Sequence, residues 1–250
     1  MVILTIGETV YQMNPGEPEQ PTKIMPYALR LLEEADIGQS AEIERDAFPT
    51  LFPPTSFRRE LKNSLAKYLV AWRRDDLIGR PPDDSVPDSP NQRTIDNSGH
   101  PLIGRLMRNA RSFWRKRDTA WEPGQQFLAG FLGTWYMVDE AHVVAVGVRS
   151  LYRGNGIGEL LLIGAIEQAF ARNSRVVTLE VRASNHVAQN LYTKYRFSER
   201  GVRKGYYTDN REDALIMTTD PIHDSSFEEN FRDLVEVHEG RWGYSDRTVL

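Results

Sequence analysis

Arg153-Gly154-Asn155-Gly156-Ile157-Gly158 (RGNGIG) is the stretch on which the reading of this chain turns. Upstream, residues 141–148 are predicted as a strand. Downstream, a helix over about 158–172 carries an apolar stripe of Leu161, Leu162, Ala165, Ile166, Ala169 and Phe170. A strand, a glycine-rich turn and a helix in that order place unpaired backbone N–H groups at the helix start, where they suit a diphosphate. Side chains at the turn would hold phosphates away, which accounts for Gly154, Gly156 and Gly158, and Arg153 adds charge-assisted hydrogen bonds. Taken alone, the loop equally fits an ordinary strand-to-helix turn. The spacing is not that of the dinucleotide-binding GxGxxG, and the lysine and hydroxyl residue of a nucleotide P-loop are missing.

Before the loop, residues 126–138 and 141–148 read as two strands joined by a tight turn at Asp139-Glu140. Further strands are predicted at 27–32, 67–73, 176–182, 197–202 and 214–218. Helices are predicted over 33–48, over 55–65 with Thr55 as cap, and over 186–195 with Ser184 or Asn185 as cap. The start, MVILTIGETV, reads as an additional strand, followed by a proline-rich linker at 14–22. Its short apolar run, with no basic residue before it, makes a poor signal peptide.

Residues 75–97 are rich in Pro, Asp and Ser and cannot build a core. Residues 103–117 differ. Arg105, Arg108, Arg111, Arg115, Lys116 and Arg117 share a predicted helix with an apolar face of Ile103, Leu106, Met107, Ala110 and Trp114. Beyond 220 the chain is acidic on balance, with Phe227, Phe231, Leu234 and His238 on one helix face. The expected organisation is an N-terminal strand and linker (1–25), a main α/β domain (26–220) interrupted by an insertion (74–124), and an acidic amphipathic tail (221–250).

A formal net charge of -4 gives no reason to expect a nucleic-acid binder. No cysteine is present, which excludes disulfides, thiolate metal sites and a cysteine acyl-enzyme, and fits the expected cytoplasmic location. No apolar run approaches the roughly 20 residues of a membrane span.

The spacing Arg-x-x-Gly-x-Gly from Arg153 resembles motif A of the GNAT acetyltransferase superfamily. LEVRASN at 179–185, NLY at 190–192, GYY at 205–207, REDALIM at 211–217 and AEIERDAFP at 41–49 look like the ribosomal-protein alanine N-acetyltransferase family. The resemblance runs from about Tyr27 to Asp220, interrupted by 74–124. It implies a GNAT fold, a mixed splayed central sheet flanked by helices, here with a basic helical insertion and a C-terminal tail. It implies acetyl-CoA as cosubstrate, no metal, and direct acetyl transfer to the N-terminal amine of a protein or peptide, a ribosomal protein among the candidates. A small-molecule amine or a lysine is the alternative acceptor, and a non-catalytic acetyl-CoA-sensing module the third reading, because fold does not choose among them.

The same resemblance assigns cofactor contacts to Val146, Gly147 and Val148, to Arg153, Gly154, Asn155, Gly156, Ile157 and Gly158, and to Asn185, which as a bare feature is a helix cap. Gly147 would remove a side chain where another chain approaches, or mark a bulge. Glu180 stands alone among apolar strand residues, opposite the face of Val177, Leu179 and Val181. Glu180 is then either a general base, as the family implies, or one half of an ion pair with an arginine. Tyr192, one turn after Ala188, is implied as the acid that serves the leaving thiol; packing in the core is the other reading. Tyr206 and Tyr207 are implied to line the acceptor groove, and His142 is a competing base. Three departures stand out: Ala145 where the family has Asn, Thr-Leu-Phe after AFP, and Tyr195-Arg196-Phe197 in place of Leu-Gly-Phe. The basic helix at 103–117 is expected either to meet an acidic partner, an RNA phosphate or an oligomer mate, or simply to cover apolar surface.

Overall fold

The computed structural model describes residues 23–50, 53–74, 120–122 and 124–250, together with the backbone of two short strands, β1 (Thr5–Ile6) and β2 (Thr9–Val10). β1 and β2 pair antiparallel as a two-stranded sheet of their own, where one strand was expected. The linker 14–22, the polar stretch 75–97 and the basic segment 103–117 lie outside the described residues.

The main sheet holds β3 (Tyr27–Leu31), β4 (Ala66–Arg73), β5 (Leu128–Met137), β6 (Glu140–Val148), β7 (Val176–Arg182), β8 (Phe197–Tyr207) and β9 (Glu212–Thr219) in the order β3-β4-β5-β6-β7-β9-β8. Every neighbouring pair is antiparallel except β6 and β7. A parallel pair needs a crossover, and α3 (Ile157–Ala171) supplies it. The parallel pairing is short, running only from Glu140↔Val176 to Val143↔Leu179. Beyond that point the two strands diverge, giving the mixed, splayed sheet expected from the sequence.

Each face of the sheet carries a core. On one, Ile43 of α1 (Ile37–Ala47) and Phe57 of α2 (Phe57–Glu60) pack with Tyr68, Val70 and Phe131. On the other, α3 packs on Leu132, Ala141, Val143, Val177, Leu179 and Val181. β6 serves both faces through a bulge. Gly133 faces Ala145 and Thr134 faces Val143, so Val144 is left over. The extra residue turns the alternation over. Val143 before it and Val146 and Val148 after it join the α3 core, while Ala145 joins the α1 core.

The stripe expected for α3 understates its burial, because Leu160 and Ile163 are also fully buried. A helix buried on all sides needs a second cover. The tail provides it through α5 (Ser225–Trp242), whose Phe227 and Phe231 meet Phe170 at ring distances of 6.2 and 5.6 Å. The chain then returns along β3, with Met25 N–H donating to Tyr244 O and Leu29 N–H to Asp246 O, both at 2.9 Å. Arg247 anchors this return on Glu167 (2.9 Å) and Glu239 (2.8 Å). An edge strand with unpaired backbone groups is thereby covered.

Two local expectations need correction. The helix expected over 55–65 shrinks to Phe57–Glu60, preceded by Ser56 rather than capped by Thr55. The Thr55 N–H instead donates to Glu44, Asn63 Oδ1 accepts from the Leu65 N–H, and Leu61 and Leu65 stay exposed. The β5–β6 turn is Val138-Asp139, not Asp139-Glu140, with Met137 facing Glu140. Asp139 is held there by the Arg175 side chain at 2.7 Å. The shift leaves the fully exposed Val138 at φ 51, a left-handed backbone that a β-branched residue resists. Val138→Gly should remove about 1–2 kcal/mol of left-handed strain and give back about 0.5–1 kcal/mol as chain entropy. The expected outcome is a rise of roughly 1–3 °C in a thermal melt; a lower melting temperature would contradict this account of the turn.

Candidate active site

Where β6 and β7 part, a cleft of about 510 Å³ opens. Val143 to Val146 and Leu179 to Arg182 form its walls, and Asn185, Tyr192, Tyr206, Tyr207, Asp209, Phe48 and Thr50 close in around it. β6 residues beyond Val143 have no β7 partner, and Val144 to Val146 line this space.

Glu180 sits in the cleft wall with its side chain 8% exposed. His142 Nε2 lies 2.7 Å from one carboxylate oxygen and an Arg203 guanidinium nitrogen 2.9 Å from the other. An ionised carboxylate only accepts, so His142 Nε2 carries the proton. Burial works to raise the Glu180 pKa, but the hydrogen bond and charge of His142 and the charge of Arg203 outweigh it and hold the carboxyl below its ordinary range. The two sequence alternatives, a competing histidine and a pairing arginine, are thus gathered on the same carboxylate. Arg203 carried no signal in the sequence, since it stands on a strand whose residues are mostly exposed.

Tyr192 projects from α4 (His186–Lys194) and is almost fully buried, with its ring 5.7 Å from Phe197. It both packs in the core and lines the cleft. Burial, and then the neighbouring Tyr207, push its phenol up to about 12. Asn185 caps α4, accepting from the Ala188 N–H at 3.2 Å.

The rim is built by residues the sequence did not single out. Arg182 lies two positions after Glu180, on the same side of β7. Its guanidinium stacks 3.9 Å over the Tyr207 ring and bonds Asp209 (2.9 Å) and Glu212 (3.1 Å). Thr50 Oγ1 donates to Asp209 at 2.6 Å, tying the segment after α1 to the β8–β9 turn. Tyr206 meets Tyr207 edge-on at 5.2 Å.

In the loop between β6 and α3, Gly154 and Gly156 have φ of 78 and 75, so both need the left-handed backbone that glycine tolerates. A Cβ at Gly154 would meet nothing within 4 Å, and one at Gly158 only Val148 at 3.9 Å. A Cβ at Gly156 would lie 2.7 Å from the Trp242 ring, so the tail requires this glycine as well. Asn155 closes the loop by donating to Tyr152 O at 3.1 Å, and Ile157 anchors it in the core. Arg153 Nε folds back onto Val148 O at 3.1 Å. Gly147 is not the bulge, which is at Val144, and a Cβ at 147 would lie 2.9 Å from Phe131, so the α1-side core asks for glycine there as well. Among the described residues, no cluster of three or more His, Asp or Glu is placed to hold a metal ion, and no helix is long and apolar enough to cross a membrane.

Two outcomes follow from this geometry. Gly156→Ala should cost about 2 kcal/mol or more, adding overlap with Trp242 to about 1–2 kcal/mol of backbone strain, while Gly154→Ala carries the strain alone; denaturant unfolding of both variants checks the order. Because the folded Glu180 pKa is depressed, its stabilising contribution is present above the unfolded value of about 4.3 and fades as pH falls through the lower folded value. The stability gap between the parent and Glu180→Gln should therefore narrow below about pH 4. A gap that widens on acidification would contradict it.

The model for the acetyltransferase (GNAT) family matches residues 68–197. A putative ribosomal protein bS18-alanine N-acetyltransferase of Bacillus subtilis (strain 168) is 47% identical over 191 residues, covering 76% of this chain and 93% of that one. The ribosomal protein bS18-alanine N-acetyltransferase of Escherichia coli (strain K12) is 32% identical over 137 residues, covering 50% and 93%. Among solved structures, the ribosomal-protein-S18-alanine N-acetyltransferase from Escherichia coli superposes with a TM-score of 0.51 at 24% identity, covering 80% and 96%, which speaks to the fold alone.

Proposed function

The chain belongs to the acetyltransferase (GNAT) family, and from that premise we propose that it moves an acetyl group from acetyl-CoA to the N-terminal α-amine of a protein, with a ribosomal protein as the acceptor type its relatives' names supply. The observation that carries this reading is the cleft at the open edge of β6, with Glu180, held by His142, in its wall and the glycine loop following the same strand.

The residues present fit acetyl-CoA. Open space at Gly154 and Gly158 leaves the N–H groups at the start of α3 accessible to a diphosphate, with Arg153 beside them. The edge of β6 that β7 leaves open, at Val146 and Val148, offers backbone groups to an extended arm, as an added strand would use them, once Arg153 Nε releases the Val148 carbonyl. Asn185 borders the same space. When bound, acetyl-CoA supplies the acetyl group as a thioester.

An α-amine has a pKa near 8, so about a tenth of it is already neutral at pH 7. Glu180, held ionised, accepts through water the proton that the attacking nitrogen becomes acidic enough to lose as its bond to the acetyl carbon forms, and His142 Nε2–H orients the carboxylate for it. Tyr192 keeps its proton at neutral pH. Full transfer from a phenol near 12 to a thiolate near 8.5 is uphill, so Tyr192 acts by donating a hydrogen bond to the leaving sulfur. Tyr206 and Tyr207 flank the entry for the acceptor chain.

Glu180→Gln should lower kcat by about 10²-fold or more with the acetyl-CoA KM nearly unchanged. Tyr192→Phe should lower it by roughly 10–100-fold, the worth of one hydrogen bond to a charged atom. Equal turnover by Glu180→Gln near neutral pH would overturn the base assignment. In a CoA-release assay, peptides with a free α-amine should turn over, while Nα-blocked lysine peptides and polyamines should not. The reverse preference would displace the N-terminal reading.

A further inference from the structure

The family match ends at residue 197, yet the loop that opens α3 is held from behind by α5, which starts at Ser225. His238 of α5 is 1% exposed, and its Nε2 lies 3.2 Å from the carbonyl oxygen of Gly156, the residue that caps α3. Its Nδ1 is buried with no hydrogen-bond partner among the described residues. A carbonyl only accepts, so Nε2 is the donor. Desolvation pushes the imidazole below its usual pKa, against the Gly156 carbonyl and Glu159, which raise it.

One turn further along α5, the Trp242 ring fills the volume into which a side chain at 156 would project. The same Gly156 carbonyl also receives the Leu160 N–H at 2.9 Å, so the first turn of α3 and the tail helix share one acceptor. Glu159, in that first turn, would repel an anion. It is turned onto Lys194 Nζ (2.5 Å) and Tyr195 Oη (2.8 Å). The N–H groups at the start of α3 are aimed only while Gly156 keeps its left-handed backbone.

We infer that His238 and Trp242 are positioning residues for the diphosphate of acetyl-CoA: they fix Gly156, and through it the N–H groups that receive the anion, without touching the ligand. The inference rests on the reading of the loop given above. A pinned loop arrives pre-organised; an unpinned one must be ordered at each binding event, and that ordering appears as weaker affinity.

The test compares two acyl donors on the full chain, acetyl-CoA and S-acetylpantetheine, which has the same thioester and arm but no diphosphate. His238→Leu should raise the KM for acetyl-CoA about three- to tenfold, the net worth of one neutral hydrogen bond, with kcat retained. The kcat/KM for S-acetylpantetheine should not change. His238→Gln, which restores an N–H donor, should return the acetyl-CoA KM toward that of the parent. Trp242→Ala, at the half-buried end of α5, should give the same selective rise and keeps the test open if His238→Leu does not fold. An unchanged acetyl-CoA KM in the folded variants, or an equal loss with both donors, would overturn the inference. A parent protein that uses S-acetylpantetheine and acetyl-CoA equally well would instead count against the diphosphate reading of the loop.

Discussion

Pairing between β6 and β7 ends after Val143 and Leu179, and the site follows from that early stop. Two parallel strands that stayed in register would bury the backbone groups of Val144 to Val148 in a ladder. Divergence leaves those not turned toward β5 without that ladder, a cost unless another group, such as Arg153 Nε at the Val148 carbonyl, or a ligand satisfies them. The bulge at Val144 is the local device that accompanies this stop. It lets Val143 and Val146 both face α3, so β6 keeps its grip on one core while it leaves β7. Glu180 is the first β7 residue past the last one paired with β6, so its carboxylate stands where the cleft opens.

The crossover helix transmits the same constraint. α3 must span from the end of β6 to the start of β7, and it begins at the glycine loop. Its apolar residues run all round, so it is stable only between two layers. The sheet is one layer; α5 and the returning residues 244–249 are the other. The tail therefore bears on the loop's geometry directly, through Gly156, although it lies far away in sequence.

Much of this was legible in the sequence because the strongly patterned elements sit where burial is complete. β7 was read with its observed ends, and α3 and α4 within about a residue, since their apolar patterns answer to a packed core. The segment 55–65 failed because Leu61 and Leu65 mimic an apolar helix face while in fact remaining exposed. The contact of Gly147 with Phe131 of β5 was hidden because it lies on the neighbouring strand. Arg203, Arg182 and Thr50 were invisible for a related reason. Each meets the site through a contact between strands or loops distant in the chain, and no spacing rule encodes such a pair. His238 showed itself as a position on a helix face, but nothing in the pattern said that the face would meet the carbonyl of Gly156.

Charge balance at Glu180 bears on which amines the cleft favours. Arg203 carries the charge opposite to Glu180 at 2.9 Å and His142 Nε2 lies 2.7 Å from the other oxygen, so the carboxylate offers an arriving cation little unbalanced negative charge. An ammonium would lose hydration on entry and gain little in return, whereas a neutral amine loses far less. The acceptor that enters most readily is then the one with the larger neutral fraction. Between an α-amine near pKa 8 and a lysine near 10.4, that fraction differs by about 2.4 units, or roughly 250-fold, at neutral pH. On the proposed reading, discrimination for chain termini begins before any contact with Tyr206 or Tyr207, in the neutralisation of one buried carboxylate by a half-exposed arginine.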